Sequence, residues 1–434
     1  MNRSRFVEHK QILLVLLMAA FIFITIAAYL GTILINPTGQ MIYPRYVPEN
    51  IRVGNDTFLD YKFAKRYFVD HKSAYISDNP EHWYTQNAYP PLFTLYWYPI
   101  FLLNTSWQSV YRYLYVVIIA FFLLYSLFLP IFYHKKFEIP GVLIFVAATG
   151  ITSYGLQFAL ERGQFDVISV SMCLLSVYMF WYLPKLRWLA YILFFVAFQF
   201  KIYPFIFILC FIDAAQGWKK NLLRIGGISA AVFLSLFVMG VKGFFEFLKA
   251  LTYQTKSGVY TKDHGLNFGV DYLLGVNNIL LPENQVYIIK AIVFLIGLIM
   301  LGYIFFHFLR NQKTGFFPPL LFACLLFSMA LFPASKDYKL PLLAGGFGVY
   351  TLYLSRLQFN KMLPSQILIY LCYLGIALSY SITLYSYAYR PVALQNSFIF
   401  VYGTLILVAI IQFIIEKTKI PVSSGPALND SNAN

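Results

Sequence analysis

Apolar residues along this chain fall into long unbroken runs separated by short polar pieces. The run from Ile12 to Ile35 is about 24 residues, enough to cross a bilayer core about 30 Å thick. It is too long for a signal-peptide core and lacks a small-residue cleavage site, so it predicts a retained first helix. Comparable runs predict spans near 107–133, 139–160, 165–183, 222–241, 286–309, 316–333, 340–354, 363–385 and 397–415. Two pieces depart from the pattern. Pro91 to Asn104 is too short to cross upright, and Trp188 to Ile212 carries a charge and a proline at its centre, Lys201-Ile202-Tyr203-Pro204. Together the runs predict an all-α polytopic membrane protein with about 11–13 transmembrane or half-membrane helices. Residues 1–420 are expected to form one domain. The small, polar tail 421–434 is expected to be disordered and cytoplasmic.

Charge placement orients these spans. If 188–213 dips into the bilayer and returns near Lys201, the basic clusters all fall on one side. These are Arg3/Arg5/Lys10, Lys135/Lys136, Lys185/Arg187, Lys219/Lys220/Arg224, Arg310/Lys313, Arg356/Lys361 and Lys417/Lys419. The split is then sixteen against five, the five being Arg162, Lys201, Lys336, Lys339 and Arg390. Lys and Arg accumulate in short cytoplasmic loops. That side is therefore the cytoplasm, both termini lie there, and 188–212 is a broken helix. The long connections 36–90 and 242–285 face outward and are exempt from the rule, because long loops translocate largely regardless of charge. Within 36–90, Phe58, Tyr61, Phe63, Ala64, Tyr67 and Phe68 space as one helix face, predicting an amphipathic helix on the membrane surface.

Composition agrees. Of the 434 residues 59% are hydrophobic and 12% charged, half the charged share of an average soluble domain, and the mean hydropathy is +0.65. Soluble enzymes, disordered chains and disulfide scaffolds are excluded. The net charge of +15 reflects cytoplasmic loops, so no nucleic-acid partner is expected. Cys173, Cys210, Cys324 and Cys372 each sit in an apolar run and read as small core hydrophobes. The six histidines are dispersed, and no nucleotide loop follows a strand, so neither metal nor cofactor is predicted. Gly346-Phe347-Gly348 reads as close helix packing.

The predicted topology places every unusual polar motif at the outer face. They are Asp56 and Asp60 in the first loop, Glu161-Arg162-Gly163-Gln164-Phe165-Asp166, Lys201-Ile202-Tyr203-Pro204, and Ser335-Lys336-Asp337-Tyr338. Ionisable groups at membrane depth are unfavourable and by default mark a functional site. A carboxylate accepts a proton from an attacking hydroxyl, and cations beside it hold a phosphate leaving group. Group transfer from a lipid phosphate is the reaction class these residues permit. A transporter or flippase for lipid-linked saccharides would also have broken helices and charges at depth; no inverted repeat relates the two halves here.

The first loop reads Asn55-Asp56-Thr57-Phe58-Leu59-Asp60-Tyr61-Lys62-Phe63-Ala64, then Tyr75, then Tyr89-Pro90-Pro91-Leu92. This order, followed by the three later motifs, resembles the polytopic GT-C glycosyltransferases, specifically glycosyltransferase family 87, over residues 55 to 341. The resemblance implies an inverting transferase of the plasma membrane. It would take a hexose such as mannose from a polyprenyl-phosphate donor to an extracytoplasmic glycan or lipid acceptor. It further implies that Asp56 is the general base, with Asp60 as the alternative one helical turn on. Lys201, Arg162 and Lys336 would neutralise the donor phosphate, and Tyr203, Gln164, Asp337 and Tyr338 would contact substrate. The late outer loop reads Asn267-Phe268-Gly269 where the family resemblance suggests a more polar element.

Overall fold

A computed structural model describes residues 59–76, 87, 89–103, 107–134, 155–156, 159, 163–256, 264–311, 317–332, 335, 337–355 and 396–418. The first predicted span, that at 363–385, the tail, and all of the span at 139–160 except residues 155, 156 and 159 lie outside the described residues. Every regular element among the described residues is helical, as the apolar runs require, because in lipid a helix satisfies its own backbone.

Helix α1 spans Leu59–Phe68, α2 Pro91–Tyr96, α3 Tyr98–Leu102, α4 Trp107–Leu123 and α5 Leu129–His134. A π-helical turn, Leu124–Phe128, joins α4 to α5. Pro130 in α5 has no N–H for the preceding turn, and Ser126 Oγ donates to Phe122 O at 2.7 Å within this stretch. The chain continues with α6 Asp166–Tyr182, α7 Arg187–Phe200, a 3₁₀ helix Tyr203–Phe211, α8 Trp218–Ser235, α9 Gly240–Lys256 and α10 Leu266–Val276. It then forms α11 Glu283–Asn311, α12 Pro318–Ala330, a second 3₁₀ helix of more than one turn at Asp337–Leu342, α13 Leu343–Ser355 and α14 Phe398–Thr418.

Helix α12 is the hub. It opens on Pro318 and Pro319, whose missing N–H groups fall where no partner is needed, and every residue from Pro319 to Ala330 is buried. It packs on α11, α13, α14 and the first 3₁₀ helix. Helix α11 is the opposite case. Its 29 residues reach about 43 Å at 1.5 Å each, and Ile288, Ile292, Leu295, Ile299 and Phe306 face outward. A helix apolar all round and largely uncovered by protein belongs in a bilayer. Both α11 and α14 are long and apolar enough to cross a membrane, and α8 with α9 forms a third such stretch bent by 97°. The chain is an all-α polytopic membrane protein.

The segment around Lys201 dips and returns. Helix α7 runs back along α6, and the 3₁₀ helix then descends again, so that Trp181 near the end of α6 donates to Cys210 O at 2.8 Å. The physical cause is Pro204, whose ring would strike the carbonyl of Phe200 in a continuous helix. Helix α8 rises once more, and Gln199 Nε2 donates to Ser235 Oγ at 2.8 Å near its end. Gly240, at φ +79, adopts the left-handed backbone that glycine supplies without strain. There the chain turns sharply into α9. The stretch 242–285, expected as a long connection, thus carries two helices.

Close packing involves Gly345 as well as Gly346. A Cβ on Gly345 would lie 2.6 Å from both the Tyr125 ring and its carbonyl oxygen, and one on Gly346 2.6 Å from Leu325 Cδ2. Tyr125 is aimed there by the π turn; its hydroxyl donates to Leu342 O and accepts from Gly346 N at 3.3 Å. Cys173, Cys210 and Cys324 are buried free thiols; Cys372 lies outside the described residues.

Candidate active site

Four separate breaks in helical structure meet at one end of the bundle. Pro90 is in an extended conformation and Pro91 starts α2, which leaves Tyr89 just ahead of the helix. Gly163 has φ +66 and turns the chain so that Gln164 N bonds to Ala159 O at 2.8 Å. Asp166 then opens α6, where the helix dipole favours an acidic side chain. Lys201 follows the last turn of α7 in extended backbone. Tyr338 and Lys339 come from the second 3₁₀ helix.

The side chains converge on the Lys201 ammonium. It donates to Gln164 Oε1 at 3.0 Å, lies 3.4 Å from Asp166 Oδ2 and sits 3.9 Å from the centre of the Tyr89 ring. The Tyr338 ring centre is 5.8 Å away. Gln164 Oε1 also accepts from Tyr89 OH at 3.1 Å, so one amide oxygen fixes both the cation and the tyrosine. The Lys201 side chain is 11% exposed and that of Asp166 is 0% exposed. Neither Asp166 oxygen accepts a hydrogen bond among the described residues. Tyr203 is buried beside the Asp166 carboxylate without a well-formed hydrogen bond to it. Its ring carries Lys339 Nζ at 4.3 Å. An ammonium over an aromatic face is attracted by the ring quadrupole, more strongly where water is excluded.

Aromatic rings wall this cluster. Tyr89 stacks on Phe93 at 4.3 Å, Phe93 meets Phe165 edge-on at 4.9 Å, and Phe165 stacks on Phe200 at 5.5 Å. Helix α1 leans on the neighbouring short helices, with Tyr61 against Phe101 and Trp97 and Phe68 against Tyr98. Part of the aromatic face expected to rest on lipid is therefore covered by protein.

Two long connections are pinned to this end. Ser73 Oγ donates to Glu246 Oε2 of α9 at 2.6 Å, Tyr75 packs on Phe247, and Tyr75 OH donates to Tyr89 O at 2.9 Å. Burial holds the Tyr75 phenol well above its ordinary pKa. Ahead of α10, His264 N donates to Ser335 O at 2.7 Å, and the His264 ring lies 3.3 Å from Ser335 Oγ. At the opposite end of α6 and α7, Arg187 and Arg224 lie on the two sides of one buried network. Both guanidinium groups are 4.8 Å from the Phe180 ring, and Asp213 bonds to Gln216, Asn221 and Arg187.

Of the residues expected at the site, Lys201, Gln164, Tyr203 and Tyr338 come together. Asp56, Arg162 and Lys336 lie outside the described residues, and Asp60 and Asp337 are described only as the second residue of α1 and the first of a 3₁₀ helix. Asp166, Tyr89 and Lys339 were not assigned a role from sequence. The signal for Asp166 was available, since a carboxylate heads a 17-residue helix that holds no other charge. Among the described residues no three His, Cys, Asp or Glu side chains group to hold a metal.

The model of glycosyltransferase family 87 matches residues 87–333. That range contains the Tyr89-Pro90-Pro91-Leu92, Glu161–Asp166 and Lys201–Pro204 motifs; Asp56 and the Ser335–Tyr338 motif fall outside it. No curated protein and no solved structure matches.

Proposed function

Because the chain belongs to glycosyltransferase family 87, we propose that it moves a hexose such as mannose from a polyprenyl-phosphate donor to an extracytoplasmic glycan or lipid acceptor. The observation that carries this reading is the buried cation of Lys201, held by Gln164, Asp166 and Tyr89 where three helix breaks meet. Cations at membrane depth suit a phosphate whose lipid tail stays in the bilayer, and the aromatic wall suits a sugar or an isoprenoid chain.

In this reading Asp56 takes the proton from the acceptor hydroxyl, with Asp60 as the alternative base. The acceptor oxygen forms its bond to the anomeric carbon opposite the phosphate, the bond from that carbon to the phosphate oxygen breaks, and configuration inverts. The electron pair leaves with the polyprenyl phosphate, which Lys201 neutralises with help from Arg162 and Lys336. A guanidinium clamps phosphate in two places, whereas an ammonium acts as a point charge. Tyr203, Gln164, Asp337 and Tyr338 border the sugar. Helix ends bearing Lys201 and Gln164 face outward, and the Arg187–Arg224 end faces the cytoplasm, as does each terminus. The enzyme resides in the plasma membrane.

The test is mass analysis of the lipid-linked sugar pool with and without the gene. A transferase leaves its sugar-loaded donor to accumulate and its glycosylated product missing. A flippase instead redistributes one lipid between leaflets without changing either mass.

A further inference from the structure

The cation proposed to receive the donor phosphate already has a buried counter-charge. Asp166 Oδ2 stands 3.4 Å from Lys201 Nζ, its carboxylate is fully enclosed, and neither oxygen accepts a hydrogen bond among the described residues. A carboxylate kept only to support the fold would be expected to gather N–H or O–H donors. This one faces the ammonium, and the Tyr203 hydroxyl beside it makes no well-formed hydrogen bond to it. The ammonium has two firmer partners in Gln164 and the Tyr89 ring, so its position does not depend on Asp166.

Resting on the transferase reading above, we infer that Asp166 is a charge-balancing residue that weakens the hold of Lys201 on phosphate and so releases the lipid-phosphate product. The donor is a phosphodiester with one negative charge. Once the glycosidic bond to phosphate breaks, the lipid carries a monoester with a charge of about −1.5 to −2 at neutral pH. A phosphate about 3 Å beyond Nζ lies roughly 6–7 Å from the Asp166 carboxylate. At an effective dielectric constant of about 40, that separation weakens binding roughly tenfold per phosphate charge. The donor therefore loses about tenfold in affinity and the product about thirty- to a hundredfold. The repulsion grows as the reaction proceeds, and it falls on the species that must leave.

The experiment uses the full chain in lipid nanodiscs and two probes, a synthetic polyprenyl phosphate and its monoanionic methyl ester. Titration of wild type, Asp166→Asn, Asp166→Glu and Lys201→Met gives the dissociation constants. The expected result is that Asp166→Asn binds the methyl ester about tenfold and the free phosphate about thirty- to a hundredfold more tightly than wild type. Asp166→Glu stays within about threefold of wild type, because the charge remains. Damage to the fold does not raise affinity, so a gain marks the charge itself. Asp166→Ser repeats the neutralisation with a residue suited to a helix start, should the Asn variant fail to fold. Equal or weaker phosphate binding in a folded neutral variant overturns the inference while leaving the transferase reading intact. No binding of either probe by wild type, or binding indifferent to Lys201→Met, overturns both.

Discussion

Replacing Lys201 by Met should damage stability and turnover separately, and the structure lets the two be apportioned. The substitution keeps most of the side-chain volume, removes the 3.0 Å bond to Gln164 and leaves Asp166 without its ion partner at 0% exposure. Stranding one member of a buried pair costs about 3–5 kcal/mol. The 11% exposure of Lys201 places the loss toward the lower end, near 3 kcal/mol, or roughly a hundredfold in the folding equilibrium. The double variant Lys201→Met with Asp166→Asn removes the stranded charge. It should recover most of that loss and stand within about 1 kcal/mol of wild type, since a neutralised pair is often nearly as stable as the ionic one. Turnover should fall about 10²–10³-fold in both variants, because the phosphate has lost its cation whether or not the fold is repaired. Reversible unfolding in mixed detergent micelles measures the first quantity and release of polyprenyl phosphate the second. A Lys201→Met chain as stable as wild type, or a double variant no better than the single, would refute the buried-pair argument.

Four further outcomes are expected. Gly345→Ala, whose Cβ would meet the Tyr125 carbonyl at 2.6 Å, should lower stability by about 1–3 kcal/mol, while Gly403→Ala, with nothing within 4 Å, should be neutral or better; thermal unfolding of both compares them. Ser73→Ala removes the 2.6 Å bond to Glu246 and should release the connection after α1, raising its cleavage by added protease at a stability loss of about 1 kcal/mol. Burial raises the Tyr75 phenol above its ordinary 10.0. The folded state thus keeps a proton that the unfolded state gives up, and stability should decline as pH rises above about 10, less so in Tyr75→Phe. Cysteine at Lys242, which is 89% exposed, should react with an impermeant thiol reagent from outside, and cysteine at Lys219 should not; labelling only at 219 reverses the proposed orientation.

The broken helix was legible because its cause is local. A proline three residues after a lysine, in an otherwise apolar run, cannot continue an α-helix, and the chain ends α7 at Phe200 as that rule demands. The spans at 286–309 and 397–415 were legible for the same reason, since a bilayer imposes length and hydropathy on each helix by itself; the run at 165–183 forms a shorter apolar helix. Asp166 was harder. Along the sequence it is one more charge closing a polar motif, and its meaning lies in a lysine 35 positions away that packing brings within 3.4 Å. Arg187 counted only as a cytoplasmic charge, yet it shares Phe180 with Arg224 across two helices. Helix α9 was hidden because Val241, Lys242, Phe245, Leu248 and Lys249 are exposed while Gly243, Phe247 and Ala250 are buried. Such a mixed face fits a helix at a membrane boundary and blurs the hydropathy that marks a span. Gly345 carries no signal in one sequence, because the ring that requires it stands in α4's π turn.

The central claim is chemical transfer at the Lys201 end of the bundle, and reconstituted protein tests it most directly. Proteoliposomes holding wild type or Asp56→Asn are given polyprenyl-phosphate mannose labelled in the sugar, together with a membrane extract as acceptor source. The account predicts that wild type moves label from the donor to a new product and frees polyprenyl phosphate in equal amount, and that Asp56→Asn does neither, a loss of about 10²–10⁴ in rate. Movement of intact donor between leaflets at equal speed in both proteins, with no label leaving the lipid, would contradict it.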